Sequence, residues 1–336
     1  MANVPASHLH PVFLAGPTAV GKSEIALLLA EKIGGEIISV DSMQVYRGLD
    51  IGTAKPSAEE RTRVRHHLID VVNLTEPFDA AQFVRLANAA VTDIQSRGRV
   101  PIFCGGTGLY FKAFLEGLGD TPPADEILRT ELESAPLPEL LKELAEKDPA
   151  TYEKIDRNNP RRVIRAVEVI RLTGKKFSEQ RAIWKSPSGA ATSRPQCAAG
   201  ILPADENKTG SNSLPLGHLI AFSRENPDLH ARINSRVDAM FARGLVEETR
   251  RLLEQGLPQN KTALQALGYR QVVEHLRGGH SLSETIDLVK IKTRQFAKRQ
   301  MTWFKRQLNL EWFKLNSSEK LHMTAEKIYH RLTKSP

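Results

Sequence analysis

The sequence predicts an α/β fold, a parallel sheet flanked by helices, with an inserted helical subdomain. Short apolar runs without polar alternation recur through the first third: VFLA (12–15), EIISV (36–40), HLIDVV (67–72) and VPIFC (100–104). Such runs suit strands buried on both faces. Amphipathic stretches between them, 22–33 and 79–96, are long enough for the crossover helices that a parallel sheet requires. From about residue 120 the pattern becomes helical only, until strand-like runs return at 218–223 and 310–315.

The first strand leads directly into GPTAVGKS, Gly16 to Ser23, which satisfies G-x-x-x-x-G-K-[ST] at a strand-to-helix junction. In such a loop Gly16, Pro17, Thr18, Ala19, Val20 and Gly21 shape the chain, and the backbone N–H groups of Ala19 to Ser23 cradle a diphosphate. Lys22 neutralises it and the Ser23 hydroxyl ligates Mg²⁺. The core is therefore expected to be P-loop NTPase-like. A phosphate cradle is indifferent to what the diphosphate carries, so other residues must decide the substrate.

The second strand ends in Val40, Asp41, Ser42, which brings the Asp41 carboxylate out at the sheet edge that presents the loop. Asp41 can serve there as an acid–base group, or as a turn-capping or Mg²⁺-supporting carboxylate. The third run carries Asp70, for which an ion pair with Arg65 or His66 is as good a reading as a chemical role. The fourth run opens into CGGTGLY (104–110), whose paired glycines permit close backbone approach. That makes Thr107 a candidate for substrate contact, with a plain turn or helix cap as the equal alternative.

Four segments result: a first core part at 8–119, a helical insertion at 120–183, a Ser-, Gly- and Pro-rich segment at 184–217 expected to be a mobile loop, and a second core part at 218–336. Helices are expected in the insertion at 125–133, 137–147 and 160–173. The chain has 47 Lys and Arg against 39 Asp and Glu, a net charge of +8. The surplus is concentrated. Residues 290–306 hold seven cations and no acid, and 157–176 hold seven against the single Glu168. Lys290, Arg294, Lys298 and Arg306 recur at multiples of four, one face of a helix, and acids normally balance a merely solvated face. Phosphate-backbone binding is the expectation for these stripes.

Two cysteines, Cys104 and Cys197, exclude a disulfide framework and a thiolate zinc site, which fits a reducing cytoplasm. The amino terminus lacks a signal-peptide pattern and no run of about 18 apolar residues occurs, so no membrane role is expected.

Together the segments ISVDSMQVYRGLDIGTAKP (38–56), PIFCGGTGLY (101–110), NPRRVIRAVEVIRLTGK (159–175), ALGYRQ (266–271) and TRQFAKRQMTWF (293–304), with the P-loop, resemble the tRNA dimethylallyltransferases over nearly the whole chain. The resemblance implies transfer of a dimethylallyl group from dimethylallyl diphosphate to N6 of the adenosine immediately 3′ of the anticodon, by a monomer using Mg²⁺. It implies that Gly16 to Ser23 hold the leaving diphosphate and that Asp41 is the general base, with Lys22 and Thr107 also catalytic. Contacts with the tRNA anticodon stem-loop are implied for Asp41, Ser42, Met43, Gln44, Thr107 and Arg129, and for Arg161, Arg162, Val163, Ile164 and Arg165. Arg294 and Lys298 join them on charge.

Three positions depart from the family pattern. An arginine usual before L-[HY]-x-R-I is Asn226 here, with Arg224 as the candidate substitute on the diphosphate. Arg157 stands where the family has histidine, and 184–217 is longer than typical. Two other classes of function fit the P-loop: a small-molecule or nucleoside kinase working on ATP, and a non-catalytic, nucleotide-switched RNA-binding protein. The first leaves the basic stripes unexplained, and the second gives Asp41 no task.

Overall fold

A computed structural model describes residues 10–119, 121–180, 218–318 and 320–334. The segment expected to be a loop at 184–217, with Cys197, lies outside the described residues. Six parallel strands form one sheet: β1 (Val12–Ala15), β2 (Gly35–Val40), β3 (His66–His67), β4 (Val100–Gly105), β5 (Leu219–Arg224) and β6 (Glu311–Leu315). Their spatial order is β3-β2-β4-β1-β5-β6. The chain builds β2 to β4 on one side of β1 and β5 and β6 on the other. The carboxyl end of β1 is thus the reversal point, where open α/β sheets leave a crevice.

The apolar runs are explained by two cores. In β1, Phe13 and Ala15 face one cluster while Val12 and Leu14 face the other, and all four are buried. The first cluster packs α3 (Ala80–Ser96), α4 (Gly108–Glu116), α11 (Leu245–Glu254), α12 (Tyr269–Leu276) and part of α13 (Leu282–Gln307). The second packs α1 (Lys22–Ile33), α10 (Asn226–Ala242) and α14 (Leu321–Lys334). Phe13 stacks on Phe103 with ring centroids 4.7 Å apart, locking β1 to β4 from the first face.

The third run is shorter than expected. Leu68 and Asp70 take left-handed backbone angles, φ 61° and 57°, so pairing with β2 stops after His67. Asp70 pairs with neither Arg65 nor His66: Lys55 and Arg61, just before and within α2 (Ala58–Arg63), hold its carboxylate. Burial alone would raise its pKa, but those two hydrogen-bonded cations hold it below the usual aspartate value. Asp70 is a structural ion-pair partner.

The chain divides into two compact units, Glu116–Lys185 and the remainder. The smaller unit contains α5 (Glu126–Ser134), α6 (Leu137–Lys147), α7 (Pro149–Lys154), α8 (Pro160–Thr173) and α9 (Phe177–Gln180). Its core is Leu132, Leu140, Leu144, Val163, Ala166, Val167 and Ile170. Pro160 begins α8 behind the Asn159 cap, where its missing N–H costs nothing, and Gly174 at φ 67° ends it. Among the described residues, no helix is long and apolar enough to cross a membrane.

Candidate active site

The loop after β1 is a nest of backbone donors. Ala19 adopts φ 62° and Gly21 φ 107°, and Gly21 starts α1 without any side-chain cap. The first-turn amides of α1 are thus left to an outside acceptor, at the positive end of the helix. The Lys22 ammonium donates to the Pro17 carbonyl at 3.1 Å, folded back along the loop that it would share with an anion. Ser23 is exposed at the same mouth.

Two arginines missing from the sequence-level candidates complete this cradle. Arg232 Nε donates to the Ala19 carbonyl at 3.0 Å, and Arg236 Nη1 reaches the Thr18 hydroxyl at 3.4 Å. They sit one turn apart on α10, whose start follows β5. The signal available was the four-residue spacing of two arginines within a helix directly after a strand. The buried Arg224 guanidinium donates to the Val20 carbonyl at 2.7 Å and to Asp228 at 2.6 Å, and it lines neither of the cavities described below. Its contact with Val20 braces the loop. Asn226 is exposed at the first position of α10.

Asp41 leaves β2 in an Asx turn, its Oδ1 accepting the N–H groups of Met43 at 2.8 Å and Gln44 at 3.3 Å. The turn-capping alternative is therefore realised, but by one oxygen; Oδ2 makes no protein hydrogen bond among the described residues. The Thr107 hydroxyl accepts the Ser42 N–H at 3.1 Å, while the Thr107 N–H donates to the Val40 carbonyl. This ties the ends of β2 and β4 together, and the hydroxyl proton stays available to donate. The glycines beside it are steric necessities: a Cβ on Gly105 would collide with the Val40 carbonyl. Gln44 is held in turn by Ser39 and the carbonyls of Thr53 and Ala54. From α13, Gln300 accepts the Thr18 N–H and donates to the Gly106 carbonyl, both at 2.9 Å, stitching the P-loop to the Thr107 turn.

Two cavities meet here. One, about 760 Å³, is lined by Lys22, Ser23, Arg232 and Arg236. The other, about 720 Å³, is lined by Asp41, Ser42, Met43, Thr107, Arg236 and, at its outer part, Lys292, Phe296 and Arg299. Arg236 and Met240 are their shared residues.

The electrostatics favour an incoming anion. Burial pulls Lys22 below the ordinary lysine value; Arg236 adds repulsion, against the opposing attraction of Cys104 and Asp41. Burial pushes the Cys104 thiol up to about 11, so at neutral pH it carries no charge and Asp41 is the acid that counts. Burial likewise lowers Arg236, with Asp41 attracting and Arg232 repelling it, although a guanidinium stays protonated. The lining of the first cavity holds five cations, Lys22, Lys55, Arg232, Arg236 and Arg243, against Glu24 and Glu60, a surplus of positive charge.

The expected tRNA-contacting positions divide. On α8, Arg161 and Arg162 are exposed, but the Val163 side chain is fully buried in the helical core and Ile164 packs against it. Arg129 and Arg165 both donate at 2.8 Å to Glu168, whose side chain is 0% exposed, so these two cations serve a buried carboxylate. Of the α13 stripe, Lys290 pairs with Asp238 and Arg294 donates to Asn234, both on α10. The balancing acid is thus supplied by a second helix. Lys292, Lys298 and Arg299 remain exposed.

A family model described as IPP transferase matches residues 44–307. The tRNA dimethylallyltransferase 1 of Trichlorobacter lovleyi is 44% identical over 303 residues, 89% of this chain and 92% of that protein. The tRNA dimethylallyltransferase of Geobacillus thermodenitrificans is 41% identical over 95% of this chain and 94% of its own. Among solved structures, the full-length tRNA isopentenylpyrophosphate transferase of Bacillus halodurans aligns with a TM-score of 0.64 at 38% identity, covering 96% of this chain and 97% of that one. A eukaryotic dimethylallyltransferase captured acting on tRNA aligns with a TM-score of 0.74 at 26% identity, covering 96% and 77%. With so much of the chain matched, and with the loop and acid that the sequence pattern led to at one sheet edge, the chain belongs to the IPP transferase family.

Proposed function

We propose that the protein transfers a dimethylallyl group from dimethylallyl diphosphate to N6 of the adenosine immediately 3′ of the anticodon in tRNA. The observation that carries the reading is the pair of cavities: a cationic cradle in one, and Asp41 with Thr107 in the other, meeting at Arg236. The diphosphate lies on the α1 amides, Lys22, Arg232 and Arg236, which stabilise the charge that develops as the allylic C1–O bond breaks. The bonding electrons leave with the diphosphate, the N6 lone pair forms the new bond to C1, and the N6 proton passes to Asp41 Oδ2. Thr107 donates to the base or the ribose-side heteroatoms that Asp41 leaves unmatched.

Mg²⁺ fits this donor set. It is usually held by one or two protein oxygens together with substrate phosphates, and Ser23 offers one hydroxyl beside the cradle. When bound it would add positive charge at the leaving group. An adenine in a stacked anticodon loop must unstack to reach the sheet edge, so we propose base extrusion into the second cavity. Lys292, Lys298 and Arg299 on α13 contact phosphates of the anticodon stem-loop. Within the helical unit, the exposed Arg161 and Arg162 are the cations proposed to contact tRNA. Action as a monomer in the cytoplasm is part of the same proposal.

The test is nucleoside mass spectrometry of unmodified tRNA incubated with the protein, Mg²⁺ and dimethylallyl diphosphate, with ATP in a parallel reaction. Dimethylallyladenosine is expected. ADP formation without modified adenosine would instead establish the kinase.

A further inference from the structure

We infer that Met240 is the residue that sets the length of the prenyl chain this site accepts; the inference rests on the transferase reading above. Arg232, Arg236 and Met240 fall four residues apart on α10, one face of the helix stepping about 6 Å per interval. The first touches Ala19 and the second Thr18, so the row begins on the diphosphate cradle and continues past it. At its third place the row changes from guanidinium to thioether. Met240 lines both cavities and packs against the first core cluster; Met43, two residues after Asp41, lines the second cavity alone and packs against the same cluster.

Chemistry fixes what must lie at that point. The diphosphate is held by the cations of the first cavity and the accepting nitrogen enters through the second, so C1 sits at their junction and the hydrocarbon beyond C1 meets the only apolar side chain common to both linings. A dimethylallyl group ends within a few bonds of C1. A geranyl group carries five more carbons and must displace Met240 to be seated. Methionine suits this place because it is long, unbranched and polarisable, so it fills an irregular gap and offers a cationic allyl carbon a soft surface without a proton or water.

The measurement is kcat/KM for dimethylallyl and geranyl diphosphates with the full chain, Mg²⁺ and unmodified tRNA. One methylene in a hydrophobic pocket is worth roughly 10–200-fold in discrimination. Met240→Ala is therefore expected to raise the geranyl-to-dimethylallyl ratio by about tenfold or more. Met240→Phe is expected to depress dimethylallyl transfer while the inhibition constant of inorganic diphosphate stays within about twofold, since the cradle is untouched. A residue that only packs would lower both substrates in step, leaving the ratio within about twofold, and that result overturns the inference. Should Met240→Ala fail to fold, Met240→Val carries the same ratio. Dimethylallyl transfer by the unaltered chain is the control: its absence would remove the proposed function, whereas its presence with an unmoved ratio removes only the role of Met240.

Discussion

Asp41→Asn separates the two tasks that the structure gives one carboxylate. The Asx turn uses Oδ1 alone, accepting from Met43 and Gln44. An asparagine keeps a carbonyl oxygen for those two N–H groups and replaces the second oxygen by an NH₂, a donor aimed where a base is required. A positioned general base contributes about 10² to 10⁴ in rate. At 1.36 kcal/mol per decade the substitution should raise the chemical barrier by about 2.7–5.4 kcal/mol. Because Asp41 is the acid that attracts Lys22 and Arg236, its neutralisation should leave KM for the allylic diphosphate unchanged or lower. Asp41→Ala should lose the same rate and, in addition, about 0.5–1.5 kcal/mol of stability for each turn hydrogen bond lost. Single-turnover product formation and thermal melts read both quantities. A turnover for Asp41→Asn within tenfold of the parent would refute the proton-transfer role, whatever the melt shows.

Arg236→Ala should weaken inhibition by inorganic diphosphate roughly 10- to 100-fold, the worth of a charge-assisted hydrogen bond of about 1.5–3 kcal/mol; an unchanged inhibition constant would detach Arg236 from the cradle. Removing Lys298 or Arg299 should reduce the slope of log affinity for tRNA against log salt by about 0.7–0.9 each, whereas Arg294→Ala, tied to Asn234, should leave the slope where it was. Glu168→Ala should destabilise the helical unit by about 2–3 kcal/mol, below the 3–5 of a fully dry pair because Arg129 and Arg165 are 39% and 28% exposed. The pH dependence has a definite sign: burial would raise the Glu168 pKa, but the hydrogen bonds from Arg165 and Arg129 outweigh it and hold it below its ordinary 4.5. Its stabilisation is therefore complete above about pH 4.5 and is lost as pH falls through the lower folded value, a decline that Glu168→Ala melts should lack.

The strands and the P-loop were legible because their signals are local. An unbroken apolar run reports burial on two faces, and a glycine-framed lysine between strand and helix reports a phosphate cradle. The third strand was overestimated for the same reason: apolar composition over 67–72 carries no mark of the left-handed turns at Leu68 and Asp70. Arg232 and Arg236 escaped notice because their role depends on an approach to Thr18 and Ala19 across more than 200 residues. The α13 stripe was misread in part for a related reason: the acid balancing Lys290 lies on another helix, and one-dimensional charge counting cannot see it. Arg129 and Arg165 show the same limit, since Glu168 is a single acid that engages two of the surrounding cations at once.

The order of strands has a consequence for synthesis. β1 is central in the finished sheet, flanked by β4 and β5, yet β5 begins at Leu219, long after the carboxyl end of β4 at Gly105 has left the ribosome. At 5–20 residues per second the nascent chain carries an incomplete sheet for on the order of 5–25 s, with β1 as a bare hydrophobic edge. Unpaired edges of that composition recruit other chains. A chain released before Leu219 should therefore self-associate, which light scattering would read, and Gln300 comes too late to help. The amide that joins the two halves of the site is translated later than β5, so catalytic competence cannot precede the appearance of Gln300.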